Sequence, residues 1–229
     1  MKKHIPNAVT CLNLFSGCLA LCQIFAGRLD LAAYLVGLAA AFDFADGLLA
    51  RALHVSSPIG KDLDSLADMV SFGLVPGAML FQLLVRGGTD LPDWLPYLAF
   101  VVTIFSALRL AKFNNDSRQT TSFIGLPTPA CTLVVASLPL ILENDTFHLA
   151  RLILNPWVLL GLVFGLSALL VAELPLFALK FKSLRWQDNG LRFSFLLLAV
   201  GLLLLLGVAA IPPIILLYVL MSLWRPSYV

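Results

Sequence analysis

The chain has 229 residues, 60% of them hydrophobic and 12% charged, with a mean hydropathy of +0.94. Soluble domains carry about 25% charged residues, so this composition excludes a water-soluble globular domain and leaves lipid to cover the surplus apolar surface. The net charge of +2 says little by itself, and no nucleic-acid partner is expected.

The chain opens with Lys2, Lys3 and an apolar run that imitates a signal peptide. Pro6, Asn7, Thr10 and Asn13 interrupt that run with polar groups, so a retained helix with polar work to do is the better reading. Cys18 and Cys22 sit four apart on one face without His or further Cys at ligand spacing. With Cys11 and Cys131 they read as small apolar residues of membrane helices, and no disulfide is expected.

A helix needs about 20 residues to cross the hydrocarbon. Charges, prolines and glycines divide the chain into eight candidate spans, at 8–26, 31–53, 64–85, 95–113, 126–143, 154–172, 191–207 and 208–225. The last two form a tight hairpin broken by Gly207, Pro212 and Pro213. Backbone polar groups in lipid must be satisfied internally, so runs of this length are helices. The expected fold is an all-α integral membrane protein. Placing both termini in the cytoplasm leaves only Arg28, Arg86 and Arg151 outside and the other twelve of the fifteen basic residues inside, as the positive-inside rule demands.

The second span ends in Asp43-Phe44-Ala45-Asp46-Gly47-Leu48-Leu49-Ala50-Arg51, and the third opens with Gly60-Lys61-Asp62-Leu63-Asp64-Ser65-Leu66-Ala67-Asp68. Carboxylates in membrane helices are expensive and functional by default. Asp43 and Asp46 are three apart, Asp64 and Asp68 four apart, and the joining loop is short, so the two faces meet. Four converging negative charges repel one another. A divalent cation with oxygen ligands, Mg²⁺, Mn²⁺ or Ca²⁺ rather than zinc, removes the conflict. Gly47, Ala50 and Gly60 leave room for a ligand, and Arg51 offers a fork to phosphate. An ion-paired helix contact, Asp46 with Arg51, explains one or two acids, not four with matched glycines.

The pattern D-x₂-D-G-x₂-A-R-x₈-G-x₃-D-x₃-D, from Asp43 to Asp68, resembles the signature of the CDP-alcohol phosphatidyltransferases, with every fixed position and gap matched. The resemblance implies two divalent ions, Mg²⁺ or Mn²⁺, held by Asp43, Asp46, Asp64 and Asp68. It implies that Gly47, Ala50, Arg51 and Gly60 seat the CDP group and that Asp68 is the general base. It further implies a homodimer with a six-helix core, to which the C-terminal helical hairpin is an addition. The expected division is a catalytic membrane domain at 1–185 and a transmembrane hairpin at 186–229. The expected location is the inner (cytoplasmic) membrane, with membrane lipids around the helices and the site facing the cytoplasm.

Family acceptors differ, and three segments resemble the serine-using branch: Asp64-Ser65-Leu66-Ala67-Asp68-Met69-Val70-Ser71-Phe72-Gly73, Pro6-Asn7-x-x-Thr10-x-x-Asn13-Leu14-x-x-Gly17, and Ala107–Asn114 with Phe123–Ala130. The implied substrates are CDP-diacylglycerol and L-serine, with inositol phosphate or glycerol 3-phosphate as alternative acceptors. A transporter is the rival from another class, but the acids cluster at one end of two consecutive helices rather than near the midplane. Arg109 suits the serine carboxylate, the lipid diphosphate or a positive-inside anchor, and Lys112 an anchor or the acceptor. Ser71 touches the acceptor or packs a helix; Asn7 and Thr10 contact the nucleotide or cap a helix; Asn114 and Asn115 form a turn or bind substrate. His54 reads as interfacial, Gly161 and Gly165 as a helix contact, and Lys180, Lys182, Arg185 and Trp186 as a lipid-headgroup anchor.

Overall fold

A computed structural model describes residues 4–55, 57–88, 92–116, 123–145, 147–177 and 186–224. Lys2, Lys3, Arg118, Lys180, Lys182, Arg185, Arg225 and the Trp186 side chain lie outside it, and with them the expected headgroup anchor.

Polar interruptions in the apolar sequence decide where the helices begin and end. Helix α1 (His4–Phe25) stops at Gly27, where Arg28 N donates to Gln23 O and Gly27 N to Ile24 O, and α2 (Leu29–Ala52) returns antiparallel. Helix α2 closes the same way: His54 adopts φ 54°, Val55 N donates to Ala50 O and His54 N to Arg51 O. His54 is exposed at this turn, as its interfacial reading requires.

The third span starts earlier than expected, at Pro58 rather than 64. Ser57 caps the new helix by accepting from Gly60 N, and Pro58 occupies the first turn, where a missing N–H costs nothing. The span runs through α3 (Pro58–Asp68), a π-helical segment (Met69–Leu74) and α4 (Val75–Gly87). Pro76 explains much of the distortion. It lacks the N–H that would bond the Phe72 carbonyl one turn back, and Thr132 Oγ1 donates to that carbonyl at 2.9 Å instead. Thr103 Oγ1 donates to Gly73 O at 2.9 Å. In lipid such freed carbonyls must find partners within the protein.

A 3₁₀ turn (Leu95–Phe100) leads into α5 (Val101–Asn115), and α6 (Thr128–Asn144), a short α7 (Ala150–Ile153) and α8 (Pro156–Val171) follow. Two short strands, β1 (Phe123–Ile124) and β2 (Pro175–Leu176), pair antiparallel. The expected hairpin is α9 (Trp186–Leu206) and α10 (Ile211–Trp224), linked by a 3₁₀ turn from Gly207 to Ala210 rather than by a direct junction at 207–208. Gly207 turns the chain at φ 56°, and Pro212 and Pro213 fit the first turn of α10. The chain does turn back, because the rings of Phe195 on α9 and Tyr218 on α10 lie 5.7 Å apart.

Among the described residues five helical stretches, His4–Phe25, Leu29–Ala52, Pro58–Gly87, Leu95–Asn115 and Asn189–Leu223, are long and apolar enough to cross a membrane, and Thr128–Asn144 and Pro156–Val171 are shorter apolar helices. The protein is an all-α, multi-pass membrane protein. Association of such helices rests on close packing and internal polar contacts, since lipid is as apolar as leucine. Phe72, Met79, Leu80, Leu83 and Leu84 of the third span are fully buried at the centre of that packing. Arg86 donates to Gly27 O, and Gly87 packs on the Leu154 backbone. The three arginines expected outside therefore gather at one end of the bundle. Gly161 and Gly165 have open space where a side chain would be, so they make no close helix contact among the described residues.

Candidate active site

The opposite end of the bundle brings the acids together. Helices α2 and α3 converge here, and carboxylate oxygens of Asp43, Asp64 and Asp68 lie within 4.8 Å of one another. These three are half-buried, and the donor set is all carboxylate oxygen. Hard divalent cations choose such a set, so the residues present fit the metal implied by the sequence.

Asp46 is buried and lies close enough to the trio for its charge to act on all three. Thr10 Oγ1 donates to its Oδ2 at 2.5 Å. No Asp46–Arg51 ion pair forms among the described residues. Arg51 instead folds over Gly47, its Nη1 3.6 Å from where a Cβ would stand.

Helix α1 supplies the side of the site facing the acids. Residues 7, 10, 13 and 17 recur at helical spacing and so share one face. Asn13 is fully buried and its Nδ2 donates to Asp68 Oδ1 at 3.2 Å, while its own Oδ1 has no partner among the described residues. Sequence reasoning passed over Asn13 as a site residue, although its place in the Asn7, Thr10, Asn13 series was the available signal. One turn on, Gly17 lets the π segment approach: an added Cβ would meet Ser71 Oγ and lie 3.1 Å from Ser71 Cα.

A cavity of about 260 Å³ opens beside the acids, lined by Asn7, Thr10, Asp46, Gly47, Ala50 and Gly60, with Lys61 and Asp64 at its edge. Five of the six residues expected at the CDP group therefore face one space, and Arg51 lies over its Gly47 wall. Gly60 is tight, since a Cβ there would be 3.0 Å from both Asn7 Oδ1 and Ser57 Oγ.

The residues expected at the acceptor divide. Ser71 is fully buried and donates to Asn13 O at 3.1 Å, so helix packing accounts for it. Lys112 is exposed, and its ammonium makes no hydrogen bond or ion pair among the described residues. Arg109 is buried, donates through Nε to Leu126 O at 2.7 Å, and has its guanidinium carbon 5.3 Å from the Phe113 ring centroid. It lies within electrostatic reach of Asp68, and its Nη groups make no hydrogen bond among the described residues. Asn114 ties α5 to α3: Lys61 Nζ donates to Asn114 O at 3.0 Å and Asn114 Nδ2 to Ser65 Oγ at 2.7 Å. Asn115 bonds back to its own helix at Ala111 O.

A helical membrane bundle with a carboxylate cluster beside a cavity at one end is the class that fold and site define. The chain belongs to the CDP-alcohol phosphatidyltransferase family, whose sequence model matches residues 3–169, and is thus a membrane-bound transferase. Three relatives, each named CDP-diacylglycerol–serine O-phosphatidyltransferase, come from Bacillus subtilis, Mycobacterium leprae and Saccharomyces cerevisiae. The Bacillus protein is 30% identical over 75% of this chain and 88% of its own length. The mycobacterial protein is 31% identical over 75% of this chain and the yeast protein 31% over 65%. The matches span only 57% and 60% of those two relatives' lengths.

Proposed function

We propose that this protein transfers the phosphatidyl group of CDP-diacylglycerol to the hydroxyl of L-serine, giving phosphatidylserine and CMP. The observation that carries the transfer is the convergence of Asp43, Asp64 and Asp68 beside the cavity lined by Asn7, Thr10, Gly47, Ala50 and Gly60. The names of the relatives support serine as the acceptor.

Asp43, Asp46, Asp64 and Asp68 would hold two divalent ions, Mg²⁺ or Mn²⁺, which when bound neutralise the diphosphate and ease the departure of CMP. The chain's own residues do the rest. The glycine and alanine wall lets the diphosphate approach the backbone, and Arg51, folded above it, has a phosphate-binding fork within reach. Asn13 orients the Asp68 carboxylate, whose free oxygen takes the serine hydroxyl proton as oxygen attacks phosphorus. The phosphorus–oxygen bond to CMP breaks in the same displacement. Arg109, with two Nη groups to spare, receives the serine carboxylate. The acids sit at the end of the bundle, so the lipid tails can stay in the bilayer while the nucleotide reaches water.

The reading places this end in the cytoplasm and the protein in the inner membrane as a homodimer, with residues 1–185 as the catalytic domain. Its test is purified protein with CDP-diacylglycerol and one acceptor at a time, with product identification. Phosphatidylserine and CMP are expected. Reaction with inositol phosphate or glycerol 3-phosphate but not serine would overturn the acceptor while leaving the transfer.

A further inference from the structure

The family match ends at residue 169, yet the later chain is tied to the acceptor side of the site. The tie begins at Arg109, whose Nε donates to Leu126 O at 2.7 Å. Leu126 is held in turn: its N donates to Leu169 O at 2.9 Å, and Gly125 N to Leu174 O at 3.0 Å. Immediately before, Phe123 and Ile124 pair with Leu176 and Pro175. This seam fixes the carbonyl that orients the guanidinium.

The seam ends at Phe177, which is buried, and there the hairpin meets it. Tyr218 on α10 donates its hydroxyl to Phe177 O at 2.9 Å. The Tyr218 ring stands edge-on to Phe177, with centroids 4.9 Å apart, and Phe195 on α9 closes the triangle at 5.7 Å from each. A buried phenol must place its O–H on an acceptor. Most of α9 and α10 is apolar and suited to lipid contact, whereas this hydroxyl is spent on the seam that carries Arg109. Tyr218 also lies within electrostatic reach of Arg109 itself.

We propose that the C-terminal hairpin is part of the acceptor site, with Tyr218 as a positioning residue that holds the Arg109 guanidinium toward the acceptor's carboxylate. The proposal rests on the assignment of Arg109 to that carboxylate. Tyr218→Phe keeps the ring packing and removes the hydroxyl. A neutral hydrogen bond has a net worth that corresponds to about a 2- to 12-fold change. The expected result is a rise of that size in the apparent KM for L-serine, with the KM for CDP-diacylglycerol unchanged and the thermal midpoint lowered by no more than about 6 °C, as the loss of one buried hydrogen bond requires. Arg109→Lys should raise the serine KM by more, and adding Tyr218→Phe to it should change little further, because the hydroxyl acts through the guanidinium. If Arg109→Lys raises the serine KM and Tyr218→Phe does not, the hairpin has no such role. Equal rises in both KM values, or full additivity of the two substitutions, would also overturn it. If Arg109→Lys leaves the serine KM unchanged, the assignment of Arg109 fails and the hairpin proposal with it.

Discussion

Replacing Asn13 with leucine separates what the residue does for Asp68 from what it does for the fold. The side chains are close in size, so packing in the fully buried site is nearly conserved. Two electrostatic effects then oppose each other. The substitution removes the donor that holds Asp68 Oδ1 at 3.2 Å. It also removes Asn13 Oδ1, a buried acceptor without a partner among the described residues, whose burial costs about 1–3 kcal/mol. These offset, so the thermal midpoint of Asn13→Leu should stay within roughly 5 °C of the parent. Turnover has no such compensation. A hydrogen bond to a charged group is worth about 1.5–3 kcal/mol, so a disoriented Asp68 should lower kcat by about 10- to 150-fold. CMP release at saturating CDP-diacylglycerol and serine measures this, with unfolding followed in the same detergent. A kcat within threefold of the parent would refute the reasoning. So would a loss of kcat matched by loss of stability, which would make Asn13 a packing residue only.

Two further outcomes test the cavity and the orientation. Gly60→Ala places a Cβ 3.0 Å from Asn7 Oδ1 and Ser57 Oγ, so it should raise the KM for CDP-diacylglycerol and leave that for serine unchanged; the reverse pattern would remove Gly60 from the nucleotide side. In a background with the native cysteines replaced, Ile59→Cys should react with an impermeant thiol reagent from the cytoplasmic side and Asp93→Cys only from the outside. Both positions are exposed, so the opposite pattern would invert the proposed orientation.

The spans were legible because apolar length and the cost of charge in lipid act locally, and the acids because nothing but function retains them there. What stayed hidden depends on register and packing. An α-helical count sets Ser71 one turn beyond Asp68, but the chain is π-helical from Met69 to Leu74, and Ser71 donates to the Asn13 carbonyl. Pro76 was the signal, since it removes the donor for Phe72 O, but only the fold supplies Thr132 in its place. Likewise the spacing of Asn7, Thr10 and Asn13 defines a face of α1 without saying which helix that face meets. The distances to Asp46 and Asp68 depend on α1 lying against the π segment, which Gly17 allows.

That contact divides the four acids into two kinds, and the division has a measurable consequence. Asp46 and Asp68 each receive a side-chain donor from α1, through Thr10 and Asn13. Asp43 and Asp64 receive no side-chain donor among the described residues, and their oxygens lie within 4.8 Å of each other. Charges so placed are costly without a counter-ion. In the presence of EDTA, Asp43→Asn or Asp64→Asn should therefore raise the thermal midpoint, because each removes one uncompensated charge. Asp46→Asn should raise it less, because its carboxylate already has the Thr10 donor to satisfy it. Adding Mn²⁺ should stabilise the parent by mass action and bring the Asp43 and Asp64 variants no comparable gain, whatever their activity. If Mn²⁺ stabilised Asp64→Asn as much as the parent, the carboxylate trio would not be the metal site. If EDTA left the midpoint order of the three variants indistinguishable, the donors from α1 would not divide the acids as argued.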